Sequence, residues 1–280
     1  ENCSWRRDCE IRWQPAKVCY IYDKPGADKI SGRSGMDMIY EKLDTDRIDV
    51  IGDIHGCFGE LAGLLGKLGY DVGEDGLVRG APEGRTLVFL GDFTDRGPEP
   101  VKVLRLVMDA VNSGLARSVR GNHEEKILQK LIKGTPAKEE VMETLRAIRA
   151  EGPDFVRQVI GFIDGLPYVI LCRNDILVVH GGLKEELQDL DTMDPKLRGR
   201  IKRMAIYGDI TGRKLEDGRP ERLDWAADYK GEMTVIYGHT IVDTVRWRNN
   251  TINIDTGCFR TGILTAVRMP EREIVQGTRA

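Results

Sequence analysis

From Arg47 onward the chain alternates short apolar runs with longer stretches in which leucine and valine recur at helical spacing. "IDVIG" predicts a strand, and "CFGELAGLLGKLGY" behind it a helix. "TLVFLG" predicts the next strand, "EPVKVLRLVMDAVNSG" an amphipathic helix ending in glycine, and "ARSVRG" a third strand. Residues 124–164 read as mostly helical. "YVILCRNDILVVHGG" then predicts two strands around an Asn-Asp turn, ahead of a charged, less regular stretch from 183 to 230. The end of the chain reads as antiparallel strands: "MTVIYGH", "TVRWRNNTINID" with a hairpin through Asn-Asn, and "ILTAVRMPEREIV". A β-α-β-α-β first half and a β-rich second half place the fold in the α/β (α+β) class.

Residues 1–46 look different. "DKPGADKISGRSG" (23–35) is rich in Gly, Ser, Lys and Asp and reads as a linker, with "KVCYIY" before it as an isolated strand. The expected division is an N-terminal extension and linker over 1–46 and one folded domain over 47–280. Met36 and Met38 stand directly behind the linker, so residues 1–35 are expected to be accessory.

Composition narrows the class without choosing a function. The 280 residues are 41% hydrophobic and 31% charged, as in a soluble globular protein. A net charge of −3 lacks the basic footprint of a nonspecific nucleic-acid binder, so nucleic acid is disfavoured as a partner. No apolar run approaches the roughly 18 residues of a membrane span, and the twin arginines of "SWRRDCEIRW" have no apolar stretch behind them to make a secretion signal. Cys3, Cys9 and Cys19 lack the paired spacing of a zinc site, and Cys57, Cys172 and Cys258 read as reduced core thiols. The expected compartment is the cytoplasm.

Where the strands end, the chemistry begins. The chain has four histidines, His55 in "GDIHG", His123 in "GNHEE", His180 in "VVHGG" and His239 in "YGH". Two aspartate loops of the same build, "GDFTDRG" and "IDTGC", also follow β-like runs. Open α/β sheets gather ligands at the carboxyl ends of their strands, so these loops are expected to meet. Asp53 and His55, two residues apart, can chelate one cation. Asp92 adds a carboxylate, and a shared aspartate lets two ions sit roughly 3.5–4 Å apart. Asn122 offers a carbonyl oxygen, and His180 and His239 offer imidazoles. An oxygen-and-nitrogen set without thiolate suits two divalent metal ions, manganese first, with iron, zinc or nickel as further candidates. Two such cations bring the pKa of a shared water toward about 7. His123, oriented by Asp95, could donate a proton to a leaving alkoxide, and the planar fork of Arg96 matches two phosphoryl oxygens. Together these parts describe phosphoester hydrolysis.

"DRG" alone is a solvated turn, and "HGG" alone a bend. The ordered set "GDIHG…GDFTDRG…GNHE…HGG…YGH" is far more specific, and it resembles the phosphoprotein-phosphatase branch of the calcineurin-like metallophosphoesterases over residues 48–270. The resemblance implies two central mixed β-sheets flanked by helices, the metallophosphatase sandwich, with residues 47–280 as the catalytic domain. It implies Asp53, His55, Asp92, Asn122, His180 and His239 as ligands, Asp95 and His123 as the acid pair, and Arg96 as the phosphate clamp. No position in those motifs departs from the pattern. A second phosphate-binding arginine is expected between 183 and 230, with Arg213, Arg219 and Arg222 all open.

The stretch from Tyr207 to Gly231, with "NNTINIDTGC", is similar to bacterial diadenosine-tetraphosphatase enzymes of the PrpE kind and to the phosphatase domain of bacterial polynucleotide kinase-phosphatases. "MIYEKLDTDRIDVIGDIHGC" is similar to phage-type serine/threonine phosphatases. These likenesses rank a phosphorylated small molecule, a dinucleoside polyphosphate, first as substrate. A serine/threonine phosphoprotein stands second and a polynucleotide end third. Tyr207, Trp225 and Tyr229 are then candidates to stack on adenine, against the alternative that Trp225 and Tyr229 are helix-face core.

Overall fold

The structure, a computed structural model, describes residues 38–216, 218 and 220–279. The expected linker, the "KVCYIY" strand and Arg219 lie outside them. Strand β1 (Tyr40–Leu43) is followed by β2 (Ile48–Ile51), helix α1 (Phe58–Leu68), a small hairpin of β3 (Asp71–Val72) and β4 (Val78–Gly80), β5 (Thr86–Phe89), α2 (Pro100–Asn112) and β6 (Ala116–Ser118). Three helices come next, α3 (Asn122–Lys133), α4 (Glu139–Ala150) and α5 (Pro153–Gly165). The second half holds β7 (Val169–Cys172), β8 (Ile176–Val179), α6 (Pro195–Tyr207), a hairpin of β9 (Ile210–Lys214) and β10 (Pro220–Arg222), and α7 (Trp225–Asp228). It closes with β11 (Thr234–Tyr237), β12 (Arg246–Arg248), β13 (Thr251–Asn253), α8 (Cys258–Thr261), β14 (Leu264–Met269) and β15 (Glu273–Gly277).

Two mixed sheets carry the fold. One has six strands in the order β1-β7-β8-β11-β13-β12, and the other five in the order β15-β14-β2-β5-β6. Side chains alternate faces along a strand, and the sequence uses both. Val50, flanked in register by Val88 and Val267, points between the sheets with Ile48 and Leu90, where they meet Val178, Ile236 and Ile252 of the other sheet. Ile51, Leu87 and Phe89 point the opposite way, into α1 to α5. Leu177, Val179, Val235 and Tyr237 face α6 and α7 on the far side. The result is helix, sheet, sheet, helix. Strands buried on both faces read as unbroken apolar runs, as "IDVI", "TLVF" and "ILVV" nearly do.

Two expectations change. β1 pairs in parallel with β7, Tyr40 opposite Val169, so the folded body starts ahead of residue 47 and takes in part of the segment assigned to the extension. β11 was expected to be antiparallel, yet it runs parallel to both β8 and β13. The reason is connectivity. α6 and α7 provide a crossover between β8 and β11, and β12 turns back outside β13, so both neighbours of β11 share its direction. The hairpin turns themselves are as read: Asn174 and Asp175 have φ of 56° and 53°, and Asn249 has 51°.

Candidate metal centre and active site

The loops that matter leave the carboxyl ends of parallel strands. β2, β5 and β6 are mutually parallel in one sheet, as are β8, β11 and β13 in the other. Facing sheets therefore deliver Asp53, Asp92 and Asn122 from one side and His180, His239 and Asp255 from the other. The loops lock one another. His55 N–H donates to Asp92 O at 2.8 Å, Gly56 N–H to Phe93 O at 2.8 Å, and Gly238 N–H to His180 O at 2.9 Å. Gly97 lies so close to His55 O that an added Cβ would collide with it.

Asp92 occupies the middle. Its Oδ2 is 3.5 Å from His55 Nε2, and its Oδ1 is 3.4 Å from His180 Nε2. Two clusters of possible ligands share it, His55-Asp92-His123 and Asp92-His180-His239, with ligand atoms within 4.8 Å of one another in each. The imidazoles are set up as acceptors. His55 Nδ1 donates to Thr94 O at 2.9 Å and His180 Nδ1 to Leu90 O at 2.9 Å, which leaves Nε2 with a lone pair in both. Burial pushes His55 down to about 3 and also lowers His180 and His239, so all three are neutral near pH 7.

The His180 lone pair meets other ligand atoms. His180 Nε2 is 3.0 Å from Asn122 Oδ1 and 3.0 Å from His239 Nδ1. Nitrogen and oxygen ligands bound at about 2.0–2.2 Å to one ion sit about this far apart. Asp53 Oδ2 accepts from His239 N–H at 3.1 Å, while its Oδ1 and His239 Nε2 are buried without a hydrogen-bond partner. Burial, then Asp255 and Asp92, raise the Asp53 carboxyl, and burial lifts Asp255 to about 6. Asp92 is pulled the other way: burial would raise it, but the surrounding histidines, His180 first, hold it well below the usual range. Buried carboxylates, neutral imidazoles and an amide oxygen around one space fit divalent cations. His55, Asp92, Asn122, His180 and His239 lie together here, and Asp53 is joined to them through the His239 N–H.

His123 lies at the edge. Its Nδ1 is 2.5 Å from Asp95 Oδ2, and its Nε2 faces Arg96 at 3.5 Å and Lys126 at 3.4 Å. The structure also brings this histidine next to His55 and Asp92, with Nε2 at 3.9 Å from Asp92 Oδ2. The exposed Arg96 guanidinium stacks over Phe259, its Cζ 4.6 Å from the ring centre, and NH1 reaches His55 Nε2 at 3.3 Å. Of the candidate second arginines, Arg222 touches this region, donating to His239 O at 3.3 Å and Thr240 Oγ1 at 3.4 Å. Arg213 is exposed on β9, away from these contacts.

The stacking expectation fails for Trp225 and Tyr229, and the alternative that they are core holds. Trp225 and Tyr229 are 5% and 2% exposed, and the Trp225 indole N–H donates inward to Gly181 O at 3.2 Å. Tyr207 packs half-buried against the same cluster. Trp225 braces the HGG loop, and neither Trp225 nor Tyr229 presents a stacking face for a base.

Glu124, unremarked in the sequence, is central to the site. Its carboxylate accepts from Asp92 N–H at 2.6 Å, Phe93 N–H at 2.9 Å and Gly121 N–H at 3.1 Å. The signal was available: a glutamate three residues after Gly121 at a helix start is half of a capping box. Lys126 was likewise missed, and Asp255, in the expected "IDTGC" loop, was given no role.

Two groups of possible metal ligands at the mouth of a two-sheet sandwich fit a metal-dependent hydrolase. The model of the calcineurin-like phosphoesterase family matches residues 46–243, and the chain belongs to that family. It is 44% identical over 236 residues to bis(5'-nucleosyl)-tetraphosphatase PrpE of Bacillus velezensis, covering 81% of this chain and 90% of that protein. The PrpE of Bacillus subtilis is 42% identical over 239 residues, 81% of this chain and 92% of the relative. A crystal structure of a candidate diadenosine tetraphosphatase superposes with a TM-score of 0.61 at 24% identity, covering 85% of this chain and 97% of that one, which establishes the shared fold. Family membership makes the protein a metal-dependent hydrolase. Among the described residues no helix is long and apolar enough to cross a membrane.

Proposed function

We propose that this enzyme hydrolyses a phosphoanhydride of a dinucleoside tetraphosphate, using manganese ions held by Asp53, His55, Asp92, Asn122, His180 and His239. The observation that carries the substrate is the pair of bis(5'-nucleosyl)-tetraphosphatases at 44% and 42% identity over four-fifths of the chain. When bound, divalent cations supply an activated water at neutral pH and offset the charge of the phosphoryl group. Arg96, free to swing from the Phe259 face, binds two phosphoryl oxygens through its planar fork. His123, held by Asp95, presents Nε2 to the departing oxygen. Arg222, next to the His239 loop, supplies a second cationic contact to phosphate.

The test is kcat/KM for diadenosine tetraphosphate against a phosphothreonine peptide at one manganese concentration. The nucleotide is expected to be preferred. A peptide favoured by tenfold or more overturns the reading and makes the enzyme a protein phosphatase.

A further inference from the structure

Two cations flank His123 Nε2. Arg96 follows Asp95 in the DRG loop, while Lys126 comes from the helix itself. Positions three and four apart share a helix face, so Lys126 lies over both His123 and Asn122 on α3, half-buried. Its Nζ is 3.4 Å from the nitrogen that faces the departing oxygen. We propose that Lys126 is a specificity residue that binds the leaving group when that group is itself a phosphate.

The geometry constrains what can sit there. An oxygen receiving a proton from His123 must lie within about 2.6–3.2 Å of Nε2, and one on the Lys126 side of that nitrogen is also within reach of Nζ. An alcohol leaving group puts one oxygen in this space with carbon behind it. A phosphate leaving group puts its bridging oxygen there with anionic nonbridging oxygens beside it. The lysine ammonium is a compact point charge with three donors, suited to such oxygens. The chemistry balances: water's oxygen bonds to the scissile phosphorus, the bond from phosphorus to the bridging oxygen breaks, and the electron pair stays on that oxygen. Water's protons end on the products or in solvent. A phosphate departs as a weakly basic anion that needs charge stabilisation more than a proton, whereas an alkoxide needs the proton of His123. Lys126 therefore favours anhydrides over alkyl esters.

This inference rests on the tetraphosphatase reading, and one experiment separates the two. The full-length manganese enzyme, Lys126→Met and Lys126→Arg are assayed on diadenosine tetraphosphate and on glycerol phosphate, with bound manganese and circular dichroism measured for each. The ratio of kcat/KM, anhydride over ester, is expected to fall at least tenfold in Lys126→Met and to recover largely in Lys126→Arg. If Lys126→Met does not fold, Lys126→Gln carries the measurement. Parallel losses on both substrates with an unchanged ratio refute the inference while leaving the tetraphosphatase reading standing. A wild-type enzyme that cleaves glycerol phosphate and no anhydride refutes both.

Discussion

Replacing Glu124 by glutamine removes one charge from a carboxylate that touches no cation directly, yet manganese affinity is expected to fall. Glu124 receives three backbone N–H groups, two of them from Asp92 and Phe93, so it holds the loop that aims Asp92. In the metal-free protein, burial first and then the Asp92 carboxylate lift its carboxyl from 4.5 to about 7. Near pH 7 the neutral and ionised forms are then close in free energy. Glutamine mimics the neutral form and costs about 1–3 kcal/mol for the backbone N–H left facing its amide. Cations beside Asp92 would offset the part of that rise that comes from its repulsion. The ionised form regains at most about 3 kcal/mol, the equivalent of the whole rise from 4.5 to about 7, and the part due to burial stays.

That preference is available to the wild type alone, so Glu124→Gln should weaken manganese binding. The full figure corresponds to about 100-fold, and partial compensation leaves roughly 10-fold or more. Calorimetric titration of metal-free protein measures it directly. The pH dependence carries a second sign. A carboxyl raised on folding contributes stability below its unfolded pKa and loses it as pH rises through about 7. Metal-free wild type should therefore lose its margin over the variant between pH 5 and pH 8. Manganese affinity unchanged within threefold, or a margin that widens with pH, would refute the reasoning.

Other consequences are simpler to test. His123→Ala should lower turnover on an alkyl phosphate by roughly 10²–10⁴-fold and on an aryl phosphate with a good leaving group by much less; equal losses, or loss of bound metal, contradict the role of proton donor. Exhaustive chelation should abolish activity and manganese should restore it, so full activity of the chelated enzyme would count against the ligand set. Trp225→Ala should cost about 3–5 kcal/mol in urea melts as a buried aromatic, while Trp247→Ala, at a residue 43% exposed, should cost about 0.5 kcal/mol or less; similar costs for both would show that Trp225 is not core.

Much of the site was legible because its signals are local. A short apolar run, a turn and a histidine make "GDIHG" a candidate ligand loop, and the order of four such loops with "GDFTDRG" did the rest. What failed depended on distance. Trp225 and Tyr229 sit in a polar, arginine-rich stretch where exposure was a fair expectation, but Trp225 packs on Tyr237 of β11 at 4.8 Å between ring centres. Nothing local reveals that contact. The direction of β11 was set by a crossover through α6 and α7 within a stretch that reads as irregular. Glu124 and Glu125 look alike in "GNHEE", yet one is buried beneath Asp92 and the other pairs with Arg120 at 3.1 Å near the surface. Helical phase decides between them, and it follows only once Asn122 is known to start α3.

Backbone strain shows why the loops have to be built this way. Nine non-glycine residues have positive φ among the described residues, and five of them are His55, Asp92, Asp95, Arg96 and His239. The other four, Asn174, Asp175, Asn249 and Arg272, occupy hairpin turns where such angles are expected. Strained angles of this kind cost on the order of 1–3 kcal/mol each and persist only where surrounding contacts over-determine them. Here the constraints are visible: the interlocked amides of the β2 and β5 loops, the carboxylate of Glu124 under Asp92, and Gly97 pressed on His55 O. Relaxing any one angle would turn a side chain away from the shared space, because each strained residue is itself a proposed ligand, acid partner or phosphate clamp. The strain is therefore concentrated in the residues that must converge, and the two sheets with their glycine contacts supply the rigidity that keeps it there.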